Sequence, residues 1–261
     1  MRAGRALFTP VVFSAVAVFL WLGVGCGVDR EDDAPTLSVF ATSSLEPVLR
    51  PWERDLEERL DVDVTFSFAA SPVVARQVVE GAPADVLITA DRTSMEIAAA
   101  PGAVRARTIV ARNRLMLVVA PNNPLEIESV HDLSRDDLEL VLCDPDVPCG
   151  RLAEALLAEM GVTVSPSSLE ENVAAAVGKI TLGEADATIA YRSDVRARPD
   201  TLEGIEIPEA DEAEFEAVYP AAVVAGSDQS ATAAELIELL ASREGTGVFT
   251  RAGFLGPKRP A

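Results

Sequence analysis

Residues 62–91, VDVTFSFAASPVVARQVVEGAPADVLITAD, constrain the fold more tightly than any other stretch. Val62, Val64, Phe66 and Phe68 alternate with polar residues, the period of a half-buried strand. Ala69-Ala70-Ser71-Pro72 follows, with Ser71 suited to cap a helix and Pro72 to its first position, where a missing N–H costs nothing. Val74, Val78 and Val79 recur at helical spacing, and Gly81 can close the helix in the left-handed conformation. Val86, Ile88 and Ala90 resume the alternation. A serine where a strand gives way to a helix brings a hydroxyl, free backbone N–H groups and a positive dipole end to one point, which is an anion site in outline. The same serine also reads as a plain helix cap, and both readings stand at this point.

The pattern extends on either side. Leu37, Val39 and Ala41 mark a first strand, and Leu45, Val48, Leu49, Trp52, Leu56 and Leu60 form a helical stripe after Thr42-Ser43-Ser44. Ser43 and Glu46 have capping-box spacing, with Pro47 in the first turn. Asp91 and Thr93 open a third helix through Ala100. This alternation predicts a parallel sheet with helices on both faces. Strands are expected at 109–111 and 115–120, then a turn at Asn122-Asn123-Pro124 and a short helix near 130–138. A strand at 140–142 leads through the loop CDPDVPCG (143–150) to a helix over 150–160. Val162 and Val164 suggest another strand, SPSSLEEN (165–172) leads into a helix from Val173, and Ala187, Ile189 and Tyr191 form a strand. Ile205 and Ile207 suggest one more, followed by an extended run at 215–225 and a helix at 231–242. Two alternations joined near 112–118 and 218–224 predict two lobes: 37–112 plus 222–261, and 113–221.

Residues 6–25 are apolar and preceded by Arg2 and Arg5, so 1–25 reads as a secretory signal peptide. Gly25-Cys26 resembles a bacterial lipoprotein cleavage site, with Gly23 atypical three residues before the cysteine; the alternative is an uncleaved N-terminal anchor. Residues 26–36 would be the lipidated Cys26 and an acidic tether, and both readings place the remainder outside the cytoplasmic membrane. The formal net charge is −20, or −22 without the first 25 residues and their two arginines. Such a surface argues against nucleic acid or an anionic membrane as a partner. It does not exclude a small anion held by local N–H dipoles, which act at contact range while surface charges are screened beyond about 8–10 Å. If Cys26 is lipidated, Cys143 and Cys149 remain as a pair in an oxidising compartment. His131, the chain's one histidine, sits in a polar loop as an ordinary surface residue.

VFATSSLEPVL, FSFAASPVVARQVVEGAPADVLITAD, RNRLMLVVAP, CDPDVPCG, EENVAAAV, GEADATIAYRSD, YPAAVVAG and FTRAGF lie in one order over residues 37–254. In that order they resemble the molybdate-binding proteins, extracytoplasmic solute receptors of ABC transporters. The resemblance implies a two-lobed periplasmic-binding-protein fold of type II, with mixed α/β sheets flanked by helices and two crossover segments. It implies a tetrahedral oxyanion held without charged side chains, by the hydroxyls of Ser44, Ser71 and Tyr191 and the backbone N–H groups of Cys149 and Val173. Molybdenum enters only as the bound oxyanion, no cofactor is expected, and the implied partners are an ABC permease and, through Cys26, the membrane. A monomer is expected. The chain departs from the family pattern in three places: the loop before Gly150 is one residue shorter, Cys149 replaces alanine, and Pro72 replaces a second serine. Pro72 thus removes a hydroxyl and an N–H, an expected change in affinity or selectivity.

Tungstate, with nearly the size and the charge of molybdate, is an equal alternative, and sulfate is a rival oxyanion. An exported enzyme would need a nucleophile–base pair or a metal cluster, which one histidine in a polar loop does not supply. A hydrolase working by carboxylates alone stays open, because the chain has 42 acidic residues. So does an interaction protein that kept the fold and lost its ligand.

Overall fold

The computed structural model describes residues 35–257. The signal segment, Cys26 and most of the tether lie outside the described residues.

The chain begins with β1 (Thr36–Thr42), a 3-10 turn at Ser43–Leu45, α1 (Glu46–Leu49), a second 3-10 turn at Arg50–Trp52 and α2 (Glu53–Leu60). The continuous helix expected here is broken. Pro51 has no N–H to offer the carbonyl of Pro47, and its ring crowds that carbonyl, so the chain tightens over one turn. The capping box expected at Ser43 and Glu46 does not form; Thr42 occupies the cap position and its side chain makes no capping bond. Next come β2 (Asp63–Ala69), α3 (Ser71–Val79), β3 (Val86–Ile88), α4 (Arg92–Ala99), β4 (Val104–Asn113) and β5 (Leu115–Val119). Gly81, at φ +88°, ends α3 as expected, with the Ala82 N–H reaching back to the Gln77 carbonyl at 2.9 Å. The start of β4 escapes a periodicity reading because Arg105, Ala106, Arg107 and Thr108 are all exposed on an edge strand.

The second half contains a 3-10 turn at Val130–Ser134 in place of the expected helix, then β6 (Val141–Cys143), α5 (Pro148–Glu159), β7 (Ser168–Glu170), α6 (Val173–Thr181), β8 (Ala187–Tyr191), α7 (Arg192–Ala197) and β9 (Glu203–Glu206). Val162 and Val164 form no strand. Their alternation is real, but both are only half-buried in coil, and the parallel pairing with β6 starts at Ser168 opposite Val141. β10 (Ala217–Val224), α8 (Ser230–Ala241) and α9 (Arg243–Arg251) complete the chain.

Five strands form one sheet in the order β2-β1-β3-β10-β4. β1 runs parallel to β2 and β3, and β10 runs antiparallel to β3 and β4. Both faces are covered: Leu87, Ala222 and Val224 pack with Val74, Val78 and Met95 from α3 and α4, while Leu37, Val39 and Val86 share a core with Leu49, Leu56 and Leu236. Such double coverage explains why these strands read as nearly continuous apolar runs. The second half holds a β8-β5-β9 sheet and the β6-β7 pair, joined by a bridge between Leu140 and Ala187. The chain crosses between the halves from β4 to β5 and returns into β10, which is already paired at Ala217 opposite Asn113.

Candidate functional site

Four turn or helix N-termini meet between the halves. Thr42 ends β1 and Ser43-Ser44 turn from it, Ala70-Ser71 opens α3, Val147-Pro148-Cys149 opens α5, and Asn172-Val173 opens α6. With Ala90, just past β3, and Tyr191, at the end of β8, they line one small, nearly closed cavity. Ser44, Ser71, Cys149, Val173 and Tyr191, the five residues expected from the sequence, therefore share a single space. It sits beyond the carboxyl ends of β1, β3 and β8, where open α/β sheets leave room for a ligand.

Two of the hydroxyls have their acceptor side engaged. Ser71 is not the cap of α3: Ala70 holds that position, and Ser71 and Pro72 are the first two helical residues. The Ser71 Oγ accepts the Ala90 N–H at 2.9 Å, which leaves its own proton to donate. Ser44 Oγ lies 3.1 Å from the Tyr219 hydroxyl. The direction of that bond follows from Asn113, whose Oδ1 accepts the Arg114 N–H at 3.0 Å. Its Nδ2 must then face Ser193 Oγ, at 2.8 Å, and the Tyr219 hydroxyl oxygen, at 3.5 Å. With Asn113 donating to it, the Tyr219 hydroxyl has Ser44 Oγ as the one acceptor for its own proton among its described contacts, so it donates to Ser44 and the Ser44 proton is left for the cavity. The relay is buried throughout, with Asn113 and Tyr219 fully enclosed.

The third hydroxyl, that of Tyr191, is buried without a hydrogen-bond partner among the described residues. Such a group costs about 1–3 kcal/mol unless something meets it. Burial, then the neighbouring Tyr219, Asp194 and Asp91, push its pKa well above the ordinary phenol value, so it stays a donor. Burial likewise raises Tyr219. Asp194, which accepts the Tyr191 N–H at 3.1 Å, is raised to about 7, again by burial.

The backbone donors come from helix starts. Val173 is the first residue of α6 and Cys149 the second of α5, so their N–H groups are among those a helix cannot satisfy internally. The Asn172 side chain caps α6 through the Ala175 N–H, at 3.0 Å, and does not compete for Val173. Cys143 and Cys149 are disulfide-bonded, with Cα atoms 5.8 Å apart, so Cys149 offers its N–H alone. Gly150 is dictated by the same turn: a Cβ there would stand 2.0 Å from the Asp144 carbonyl oxygen. Pro72 is not among the residues lining this cavity. It lines a wider groove outside the cavity, together with Val73, Arg76, Asp144 and Arg151. His131 is exposed. Among the described residues, no group of three or more His, Cys, Asp and Glu is placed to hold a metal ion.

The arrangement can therefore surround a small solute with donors on several sides and present no charge to it. The model of the bacterial extracellular solute-binding proteins matches residues 37–255. The chain belongs to that family. It is a solute-binding protein, not an enzyme, and its fold is the two-lobed periplasmic-binding-protein architecture. This solute-binding protein is 31% identical to the molybdate-binding protein ModA of Mycobacterium tuberculosis over 244 residues, covering 90% of this chain and 93% of the relative. It is 31% identical to the ModA of Escherichia coli over 234 residues, covering 85% and 90%. Among solved structures, the periplasmic molybdate-binding protein of Azotobacter vinelandii superposes with a TM-score of 0.73 at 17% identity, covering 85% of this chain and all of that one. The sulfate-binding protein SubI of Mycobacterium tuberculosis does so at 0.71 and 21% identity, covering 84% and 86%.

Asn113 and Tyr219 were not expected at the site. Both lie in the segments RNRLMLVVAP and YPAAVVAG, yet nothing local marks them, because their contacts form only when β10 lies along β4.

Proposed function

We propose that this protein captures molybdate in the cavity between its lobes and hands it to an ABC permease for uptake. The observation that carries the reading is the donor set: three hydroxyls, two with their acceptor sides engaged and one buried without a hydrogen-bond partner among the described residues, on the same cavity as the N-termini of α5 and α6. A fully ionised tetrahedral oxyanion accepts on every face, whereas a protonated one brings a donor against donors. Relatives of 31% identity that bear the molybdate-binding name support the choice of ligand. Tungstate has the same charge and nearly the same size and belongs in the same reading.

We assign the first jaw to residues 37–112 plus 222–261 and the second to 113–221, with the return crossover running along β10. The protein acts as a monomer outside the cytoplasmic membrane, tethered through a lipid on Cys26. Among the described residues no helix is long and apolar enough to cross a membrane.

Thermal unfolding with molybdate, tungstate, sulfate, phosphate and chloride tests the assignment. A receptor gains about 2.7 kcal/mol at a ligand concentration 100 times Kd. Molybdate or tungstate should raise Tm at concentrations where chloride has no effect. A shift with sulfate alone would reassign the ligand, and no shift with either metal oxyanion at millimolar levels would falsify the reading.

A further inference from the structure

Outside the cavity the two jaws meet again, at Arg151 and Asp91. Arg151 is on α5, which packs on β6 and β8 of the second jaw. Asp91 caps α4 on the first jaw, accepting the Ser94 N–H at 2.7 Å through Oδ1. The guanidinium reaches across the groove, and its Nε and Nη2 both donate to Asp91 Oδ2, at 3.1 and 2.5 Å. Nη2 also donates to Ser94 Oγ, at 3.2 Å. Nη1 donates to the Asp146 carbonyl, at 2.5 Å, which ties the guanidinium to its own loop. The side chains are only 31% and 19% exposed.

Each partner is joined to a cavity donor by a very short stretch of backbone. Arg151 is two residues from Cys149. Asp91 follows Ala90, whose N–H is held by Ser71. A solute that draws Cys149 and Ser71 together therefore aligns the ion pair as well. Arg151 itself lines the outer groove and not the cavity, and its charge is already balanced by Asp91.

We propose that Arg151 and Asp91 form a latch across the mouth of the cleft, a pair of positioning residues that hold the jaws closed over the bound anion. The latch rests on the oxyanion-receptor reading and adds to it the group that sets how long the anion stays. Closure makes the pair, and the pair slows reopening. It acts on release and not on capture, because it forms only after the jaws meet.

Release of radiolabelled molybdate into excess unlabelled molybdate, and its rate of uptake, test this on the full mature chain. Asp91→Asn keeps a cap of equal quality on α4 and leaves the Arg151 loop contacts untouched while removing the charge. Arg151→Gln removes the other partner. Each should speed release roughly tenfold, the signature of breaking a shielded charge pair. Uptake should stay within about twofold. The double variant should release no faster than the single ones, since both remove one interaction. If Asp91→Asn instead speeds uptake or tightens binding, Arg151 is an attractor for the anion and the latch is overturned. Unchanged release in both variants overturns it too. Should the wild-type chain bind no molybdate, the functional reading fails separately. Small-angle scattering of the molybdate-loaded proteins is the second readout of the latch: both variants should be more extended than wild type, and identical profiles would reject it.

Discussion

Tyr219 stands behind the cavity wall and sets the polarity of the group in front of it. Its hydroxyl receives from Asn113 and gives to Ser44, so Ser44 has one proton left and one direction in which to send it. Tyr219→Phe removes the donor behind Ser44, and the serine can then turn its own proton away from the cavity. Isothermal titration should show molybdate Kd raised roughly tenfold, about 1.4 kcal/mol. Urea unfolding should show a loss of about 1–3 kcal/mol, because buried Ser44 and one Nδ2 proton of Asn113 both lose their partner. Stability lost with Kd unchanged would mean that Ser44 needs no orientation. Tyr191 contrasts with it. Its place at the end of a strand was readable from the alternation of Ala187, Ile189 and Tyr191, whereas Tyr219 acts through residues 175 and 106 positions away. Contacts of that separation are written in strand order, and no local pattern encodes strand order.

The helix starts were the most legible elements, because proline, serine and asparagine mark them chemically. α6 begins at Val173 as expected, whereas α5 begins at Pro148, two residues inside the stretch that reads as the 143–150 loop. Ser71 is legible as a position, and of its two readings the structure removes the cap: Ala70 holds that place, and the Ser71 hydroxyl accepts the Ala90 N–H. Val162 and Val164 were misread because alternation reports half-burial, and the hydrogen-bonding partner lies at 168–170. At the start of α5 the disulfide and Gly150 act as one device. The bridge pins the first turn to the end of β6, and the missing Cβ lets that turn approach the Asp144 carbonyl. Closing a loop of seven residues contributes on the order of 2–2.5 kcal/mol in the chain-entropy model. Reduction should lower unfolding stability by about that amount and raise molybdate Kd several-fold, since the Cys149 N–H then moves with a looser turn. Gly150→Ala should raise Kd under oxidising conditions as well. Equal affinity of the oxidised and reduced protein, measured by titration with and without a phosphine reductant, would show that α5 holds its donor unaided.

The molecule as a whole works against its proposed ligand until the last few ångströms. The chain has a formal charge of −20, and the groove leading to the cavity carries Asp144, Asp146 and Glu171 against Arg76 and Arg151. A dianion approaching from solution therefore meets like charge. Inside, it meets hydroxyls and helix N-termini that act at contact range. Capture and retention should then respond differently to salt. Raising ionic strength from roughly 10 mM to roughly 150 mM shortens the Debye length from about 30 Å to about 8 Å. The association rate of molybdate should rise several-fold as the surface repulsion is screened. The release rate should change by less than about twofold, because the donors and the partly shielded Arg151–Asp91 pair lie where screening is weak. Rapid-mixing uptake of labelled molybdate over a sodium chloride series, with release followed in parallel, separates the two rates. An association rate that falls with salt would mean that the local cations outweigh the acidic surface and steer the anion in. The same series with tungstate should superimpose on it, since the two dianions share charge and nearly share size; a divergence confined to release would locate discrimination between them in the closed cavity.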